Sequence, residues 1–234
     1  MSRVGVIGDT HNPWSRRGYL QFCQDTFDEY DCDIIVHIGD VNDHHNISFH
    51  DTEPSAPGVI SEYNKAKIVT KKWHAAFPKV KVCLGNHDLR VIRRAKTVNI
   101  PEFMLASHNK LWGTYGWTWR KNFTIDGVYY YHGTGQGGKY PASNAVSKML
   151  MSCVLGHNHT ASGIKYFANP NQRIFGCDTG CGIDDAAMAF NYVEDNKSRS
   201  ILSCAVVIDG VSYVEPMPCS RGELYHDSNF PKVI

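Results

Sequence analysis

The sequence predicts an α+β fold in which two β-sheets pack face to face and helices cover the outside. Residues 3–84 alternate apolar runs of strand length with longer amphipathic segments, a β-α-β-α-β pattern that favours adjacent strands joined by helical crossovers. The second half of the chain contains many short, strand-like runs instead, and we expect each half to form one of the two sheets. With 234 residues, of which 42 % are hydrophobic, we expect one domain spanning residues 1–234 with a substantial core.

The first half of the chain is predicted to hold three strands and two helices. Apolar runs typical of buried strands occur at 3–8, 33–38 and 79–84. Apolar residues recur near helical spacing over 16–30 and over 59–77, the latter followed by Pro78. Residues 41–57 are polar and contain two prolines, and Gly58 follows directly, so they are predicted to form a loop.

The second half is predicted to be richer in strands. Residues 111–131 combine Trp, Tyr and Thr with glycines, which indicates short strands and turns. A helix is predicted at 142–152, after Pro141. Further strands are predicted at 153–155, 163–167, 173–177, 201–208 and 211–215. Asp209-Gly210 between the last two is a strong hairpin signal.

Composition narrows the class of protein. The net charge of +1 excludes a general electrostatic attraction to nucleic acid or to an anionic membrane, although it leaves a local basic groove open. No apolar stretch approaches the ~20 residues of a spanning helix, and no signal peptide is visible. The eight cysteines form no CxxC pair, and several lie in apolar runs. We therefore expect a reduced cytoplasmic protein without a membrane partner; the sequence does not indicate its oligomeric state.

Five short polar clusters occur in a fixed order along the chain. They are Asp9-Thr10-His11, Gly39-Asp40, Gly85-Asn86-His87-Asp88, His132-Gly133 and Gly156-His157-Asn158-His159. Each follows a run that is predicted to be a strand. Because strand ends are where an α/β scaffold places its chemistry, we expect these clusters to converge on one site.

The clusters offer seven oxygen and nitrogen donors and no sulfur. These are Asp9, His11, Asp40, Asn86, His132, His157 and His159. If the backbone is extended, Asp9 and His11 point the same way, as do His157 and His159. Seven donors exceed the four of one tetrahedral zinc and suit two divalent ions about 3.5–4 Å apart. Mixed imidazole and carboxylate ligation favours Mn, with Fe, Zn, Co and Ni as alternatives.

Two adjacent cations suit the hydrolysis of phosphoesters. They lower the pKa of a bridging water and offset the negative charge that develops during attack on phosphorus. His87 is the expected proton donor to the leaving group, and Asp88 is expected to hold its tautomer. The sequence therefore predicts a hydrolase that cleaves phosphomonoesters, phosphodiesters or both through a metal-bridging hydroxide.

The order D-x-H, GD, GNHD, H and GHxH, running from Asp9 to His159, resembles the calcineurin-like metallophosphoesterase superfamily, in its small stand-alone bacterial and bacteriophage form. The resemblance implies a four-layer αββα sandwich with two mixed sheets and a dinuclear site between them. It assigns one ion to Asp9, His11 and His159 and the other to Asn86, His132 and His157, with Asp40 bridging the two. His87 matches the catalytic histidine of the family.

Some features depart from the pattern of this superfamily. Its protein Ser/Thr phosphatases carry GDxVDRG and GNHE, whereas this chain reads GDVNDHH and GNHD and lacks the arginine that clamps phosphate there. This difference argues against a protein-phosphatase role and favours a broad-range phosphatase or phosphodiesterase. For the fourth cluster, His132 is preferred to His108 because YYYHG ends a predicted strand, whereas His108 lies in a polar stretch.

Two other functions remain open. A nuclease would need a basic groove beside the metals, for which the available residues are Lys71, Lys72, Lys79, Lys81, Arg90, Arg93, Arg94 and Lys96. A solvated helix face explains most of these cations. A non-catalytic, metal-stabilised interaction scaffold would keep the fold and the metals only. Retention of all seven donors and His87 argues against it.

Several other polar and aromatic residues have simpler explanations. His37 lies in a buried strand and is expected to be a core histidine or a partner of a ligand. Asp43, His44 and His45 are better explained as a solvated loop than as the mouth of the site. The alternating aromatic residues Tyr115, Trp117 and Trp119 are better explained by sheet packing than by base stacking. The glycine-rich stretch HGTGQGGKY lacks a P-loop pattern and is better explained as a flexible loop near the site, from which Lys139 is available to touch phosphate.

Overall fold

The computed structural model describes residues 1–49, 56–184 and 199–218. In these residues the strands are β1 (Arg3–Ile7), β2 (Ile34–His37), β3 (Lys81–Cys83), β4 (Thr118–Arg120), β5 (Asn122–Ile125), β6 (Val128–Tyr131), β7 (Cys153–Leu155), β8 (Ser162–Ala168), β9 (Arg173–Thr179), β10 (Ser203–Ile208) and β11 (Val211–Pro216). The α-helices are α1 (Tyr19–Glu29), α2 (Val59–Ala76), α3 (Arg90–Thr97), α4 (His108–Trp112) and α5 (Pro141–Met149).

Two mixed sheets form the centre of the molecule. The first has the order β11-β10-β1-β2-β3-β4, and the second has the order β5-β6-β7-β9-β8. Strands β1 to β4 are parallel neighbours, as are β6, β7 and β9. The antiparallel pairs are β1 with β10, β10 with β11, β5 with β6 and β8 with β9. The α+β class with two packed sheets is therefore as the sequence predicts.

The apolar contacts divide the molecule into four layers. Between the sheets, Val6 and Val36 of the first sheet belong to one buried cluster with Tyr130 and Val154 of the second. On the outer face of the first sheet, helices α1 and α2 contribute Tyr19, Phe27 and Trp73 to a second cluster. On the outer face of the second sheet, α5 packs on β7 and β9. This is the αββα sandwich that the resemblance implies.

Local sequence explains where individual elements begin and end. Helix α2 ends at Ala76, just before Phe77 and Pro78, since the residue that precedes a proline avoids the helical region. Helix α5 has Pro141 in its first turn, where a missing N–H costs nothing. Asp209 and Gly210 both have positive φ in the β10–β11 turn, as a two-residue hairpin requires.

The two halves of the chain do not each form one sheet, which corrects the simple division that the sequence suggested. The hairpin of β10 and β11 returns to the first sheet and pairs with β1. Helices α3 and α4 were also not predicted, because they have only eight and five residues and such short segments give little periodic signal. Within the described residues, no helix has both the length and the apolar character needed to cross a membrane.

Candidate metal centre

The polar clusters lie at the carboxyl ends of parallel strands from both sheets. Strands β1, β2 and β3 lead to the first three clusters, and β6 and β7 lead to the last two. Neighbouring parallel strands end at the same edge of a sheet, so each sheet gathers its polar residues at one edge. Because the sheets pack face to face, the two edges meet and the site lies between them.

One group of three donors comes from the first and fifth clusters. Ligand atoms of Asp9, His11 and His159 all lie within 4.8 Å of one another. His159 Nε2 is 3.2 Å from Asp9 Oδ2, and the imidazole rings of His11 and His159 are 4.9 Å apart. Asp9 and His11 are buried, whereas the side chain of His159 is 18 % exposed and lies nearer to the surface.

A second group of donors surrounds the Nε2 atom of His132. Asp40, His132 and His157 form another set whose ligand atoms lie within 4.8 Å of one another. His132 Nε2 is 3.1 Å from Asp40 Oδ2 and 3.2 Å from His157 Nδ1. Asn86 Oδ1 is 3.0 Å from the same nitrogen. His108 is not part of this group and instead stacks on Trp119.

Asp40 joins the two groups. Its Oδ2 atom is 3.1 Å from His132 Nε2, 3.5 Å from His11 Nε2 and 3.9 Å from His87 Nε2. His11, Asp40 and His87 also form a set of close ligand atoms by themselves. One carboxylate oxygen therefore faces imidazole nitrogens from three different clusters, which is the position expected of a bridging ligand.

The backbone that presents these donors is not extended. The sequence had suggested an extended backbone for Asp9 with His11 and for His157 with His159. His11, Asp40 and His157 have φ values of 46°, 50° and 69°. Left-handed backbone is costly for such residues and persists only where the surrounding structure enforces it. As a result His157 and His159 diverge into different groups and do not meet at one point.

Two glycines allow the strand ends to approach the buried carboxylates closely. A Cβ atom at Gly85 would overlap Asp40 Oδ1, and one at Gly156 would overlap Asp9 Oδ1. The glycines of GNHD and GHxH therefore have a steric function in holding the carboxylates in place.

Partners on the far side of the imidazole rings fix which nitrogen faces the centre. His132 Nδ1–H donates to the carbonyl of Ile38 at 3.1 Å, so its Nε2 is the nitrogen that faces the donor group. His11 Nδ1–H donates to Asp43 Oδ1 at 2.7 Å, which leaves its Nε2 directed at Asp40. Such partners set the tautomer and orientation of metal-binding histidines.

The electrostatics of the centre favour a bound cation. Burial by itself would lower the pKa of His132, but the carboxylates of Asp40 and Asp9 raise that pKa to about 10. Burial would raise the pKa of Asp40, yet the surrounding imidazoles hold that pKa well below its usual range. A proton on His132 thus provides positive charge beside the carboxylates, and metal ions could take over this role.

The donors fit divalent metal ions. Asp9 Oδ1 is buried and has no hydrogen-bond partner among the described residues, which leaves an acceptor that a cation can satisfy. The donor atoms are carboxylate, amide and imidazole groups with no thiolate, a set that suits Mn, Fe or Zn better than Mg or Ca.

His87 is oriented by Asp43, not by Asp88 as the sequence suggested. His87 Nδ1 lies 2.8 Å from the carbonyl oxygen of Asp43 and 2.9 Å from its carboxylate Oδ1, so this nitrogen carries the proton. Burial would lower the pKa of His87, but Asp40 and Asp43 raise it above its ordinary value. Asp43 is itself buried, whereas the sequence had favoured a solvated position for it.

Asp88 shapes the backbone around the centre instead. Its carboxylate accepts N–H groups from Asp40 at 2.8 Å, Gly85 at 3.0 Å and Val41 at 3.1 Å. Burial is the main reason that the pKa of this carboxyl is raised to about 7. Asp88 therefore ties the second cluster to the third and has no described contact with the His87 ring.

Besides Asp43, Arg90 is a residue whose position near the centre could not be predicted from the sequence. Its Nη2 lies 3.0 Å from His87 Nε2, and its Nη1 donates to the carbonyls of Asp43 at 2.8 Å and His44 at 3.1 Å. The only sequence signal is the spacing of three residues from His87 to Arg90, which lie on one turn with the N–H of Arg90 donating to the carbonyl of His87.

The remaining sequence expectations fall outside the donor groups. His37 is buried; its Nδ1 accepts the N–H of Gly39, and its Nε2–H therefore donates to the Thr10 hydroxyl. A cavity of about 600 Å³ lies behind the third cluster. Its lining includes His44, Asp88, Phe103, His108, Trp117 and Trp119. Lys139 is exposed, in a loop whose Gly138 carbonyl accepts the side-chain amide of Asn158.

Comparison with known proteins gives a match that agrees with this geometry. A family model described as calcineurin-like phosphoesterase matches residues 2–179. No curated protein sequence matches the chain. Similar solved structures include vacuolar protein sorting 29 from Cryptosporidium parvum, at 11 % identity and TM-score 0.44, covering 92 % of this chain and 96 % of that one. YfcE, a phosphoesterase from E. coli, has 15 % identity and TM-score 0.40, covering 90 % of each chain.

Proposed function

The chain belongs to the calcineurin-like phosphoesterase family, and on that premise we propose that it is a dinuclear metal-dependent hydrolase of phosphoric esters. The observation that carries the proposal is the position of Asp40. Its Oδ2 faces imidazole nitrogens of His11, His132 and His87 at 3.5, 3.1 and 3.9 Å, so that two donor groups share one carboxylate.

The proposed ligands divide between two sites. Asp9, His11 and His159 would hold one ion, Asn86, His132 and His157 the other, and Asp40 would contact both. When bound, divalent ions would supply Lewis acidity, lowering the pKa of a coordinated water and offsetting charge on the phosphoryl oxygens. We propose Mn as the native metal, with Fe, Zn, Co and Ni as alternatives.

His87 is proposed to move the proton. Its Nδ1–H is held by Asp43, so Nε2 is the nitrogen available to a substrate. The side chain of His87 is 15 % exposed while that of Asp40 is 2 % exposed, so a substrate can reach the histidine at the rim of the site. A proton held at Nε2 would pass to the departing ester oxygen.

The substrate is proposed to be a phosphomonoester or phosphodiester. For a nuclease no specific observation stands out, since Arg94 of the expected basic groove donates to the loop carbonyls of Ile47 and Ser48. A non-catalytic, metal-stabilised scaffold would need Asp43 to orient His11, but it would have no need of the second contact, in which Asp43 orients His87. The hydrolase therefore accounts for more of the geometry.

Two substitutions test this proposal. Asp40→Ala should remove metal and activity together, because it deletes the shared carboxylate. His87→Ala should keep the metal and lose about 10²–10⁴-fold in rate if the histidine is a general acid. Metal per chain is measured by elemental analysis, and rate with a chromogenic phosphoester. A His87→Ala variant with unchanged turnover would contradict the role assigned to this histidine.

A further inference from the structure

We propose that the guanidinium of Arg90 binds the phosphoryl group of the substrate beside His87, an inference that rests on the proposed phosphoesterase function. The sequence has no arginine in the second cluster, GDVNDHH, and arginine is the residue whose planar donors best match phosphate oxygens. Arg90 brings such a group to the site from the first residue of α3.

The contacts of Arg90 hold it in a fixed orientation. Nη1 donates to two carbonyl oxygens, of Asp43 at 2.8 Å and of His44 at 3.1 Å, which anchors one edge of the planar group. Nη2 then lies 3.0 Å from His87 Nε2. Since His87 Nδ1 carries a proton for Asp43, its Nε2 can accept this N–H. The same Nε2 atom is the proposed donor to the leaving group.

A phosphoryl group held beside Asp40 would replace the contact between Arg90 Nη2 and His87 Nε2. His87 Nε2 is 3.9 Å from Asp40 Oδ2, so an oxygen bound near Asp40 lies close to both His87 and Arg90. Accepting an N–H of Arg90 at a non-bridging oxygen would free the lone pair of His87 Nε2, which would then take up a proton from solvent and pass it to the ester oxygen that leaves. Arg90 is half-buried, and charged hydrogen bonds gain strength where water is partly excluded.

The position of Arg90 at the rim of the site supports the same role. Asp9, His11, Asp40 and His132 are buried, while Asn86, His87 and Arg90 are partly exposed. His157 and His159 are partly exposed as well, so the rim through which a substrate can reach the centre includes Arg90. Arg90 is the described cation that contacts His87 there.

Arg94 provides a matched comparison on the same helix. It donates to the carbonyls of Ile47 and Ser48, so it tethers the same loop that Arg90 holds at Asp43 and His44. No described contact joins Arg94 to His87. If the effect of Arg90 is only to hold the loop, the two arginines should behave alike.

The test uses full-length protein reconstituted with Mn²⁺ and inorganic phosphate as the probe. Phosphate affinity is measured by isothermal titration calorimetry for wild type, Arg90→Gln, Arg90→Lys and Arg94→Gln, together with metal content and the separate kcat and KM for a chromogenic phosphoester. We expect Arg90→Gln to weaken phosphate binding about 10- to 100-fold, the loss of a charged hydrogen bond. The phosphate affinity of Arg90→Lys should lie between those of wild type and Arg90→Gln. The affinity of Arg94→Gln should stay within about twofold of wild type.

Three results would overturn the assignment. A fall in kcat with unchanged phosphate affinity would mean that Arg90 acts only through His87. Equal weakening in Arg90→Gln and Arg94→Gln would mean that loop tethering explains the effect. If Arg90→Gln does not fold, Arg90→Lys decides, and wild-type phosphate affinity in that variant would count against the proposal.

The failure of the proposed function and the failure of the role assigned to Arg90 can be distinguished. Wild-type protein that holds two metal ions but neither binds phosphate nor hydrolyses an ester would overturn both proposals. Hydrolysis by wild type with an unaffected Arg90→Gln variant would overturn the role of Arg90 alone.

Discussion

At the scale of single residues, the site depends on carboxylates that each have more than one partner. Asp43 accepts Nδ1–H groups from His11 at 2.7 Å and His87 at 2.9 Å, so one buried carboxylate orients a proposed ligand and the proposed acid. Burial would raise the pKa of Asp43, but hydrogen bonds from these two histidines hold it far below its usual range. The carboxyl group of Asp43 is therefore ionised at neutral pH.

Asp43→Asn tests this shared role. Both imidazole N–H groups are directed at the same oxygen, Oδ1, so an amide oxygen at that position still accepts both but lacks the negative charge that strengthens the two hydrogen bonds. We expect metal affinity to fall about 10- to 100-fold, as for other residues that orient metal-binding histidines, and turnover at saturating metal to fall as well. Metal titration and kcat measure the two effects. Asp28→Asn, on the exposed face of α1, serves as the control. Unchanged affinity and kcat would contradict the contacts described for Asp43.

The motif residues could be predicted from sequence, whereas their supporting partners could not. Asp9, His11 and Asp40 follow strands and have recognisable spacing. Asp43 looks like part of a polar loop, because its burial depends on helices that pack around it from elsewhere in the chain. Arg90 looks like one more cation on a solvated helix, and only the path of the 43–49 loop brings carbonyls to it.

At the scale of elements, helices α2 and α3 hold the 43–49 loop from two sides. Glu62 of α2 accepts the N–H groups of His45 at 2.6 Å and Asn46 at 3.0 Å. Arg90 and Arg94 of α3 donate to loop carbonyls. Two N–H groups and four carbonyls of this short loop thereby have charged partners, which fixes the position of Asp43.

The glycine at the start of the fifth cluster gives an element-scale prediction. In Gly156→Ala, the added Cβ would overlap Asp9 Oδ1 and come within 2.5 Å of Ile38 Cγ2, so Asp9 must shift. We expect loss of metal from the site that includes Asp9, although no ligand has been changed. Gly137→Ala is the control, because its Cβ meets nothing within 4 Å. Metal content equal to that of wild type in Gly156→Ala would show that the strand end tolerates the displacement.

Asp178 on β9 gives a prediction about pH. Its carboxylate oxygens accept the N–H of Ala142, in the first turn of α5, at 3.1 and 3.2 Å, and burial raises its pKa from 3.8 to about 6. The folded state therefore binds this proton more tightly than the unfolded state. The stability that the protonated group contributes is complete below about pH 4 and is lost as the pH rises through about 6.

Asp178→Asn should therefore stabilise the protein at neutral pH. The amide keeps an acceptor for Ala142 and removes the cost of a buried charge, which corresponds to about 1–3 kcal/mol in the free energy of unfolding. Urea denaturation of wild type and variant at pH 4 and pH 7.5 measures the difference. We expect a gain at pH 7.5 that is much smaller at pH 4. A gain of equal size at both values would rule out the charge as its cause.

At the scale of the whole molecule, the site exists only because two sheets meet. The first sheet delivers Asp9, His11, Asp40 and Asn86, and the second delivers His132, His157 and His159. The parallel strands that carry them were predictable from their apolar runs. The return of β10 and β11 to the first sheet was not, because pairing partners far apart in the chain leave no local pattern.

The most direct test of the central claim is a paired assay on metal-stripped protein with Mn²⁺ restored. Hydrolysis of a chromogenic phosphomonoester is compared with that of the matching diester, and bound metal is counted in the same sample. The account predicts two ions per chain and hydrolysis that depends on them, with the faster substrate revealing whether the enzyme is a phosphatase or a phosphodiesterase. Two bound ions with no turnover of either ester, or no bound ion at all, would contradict it.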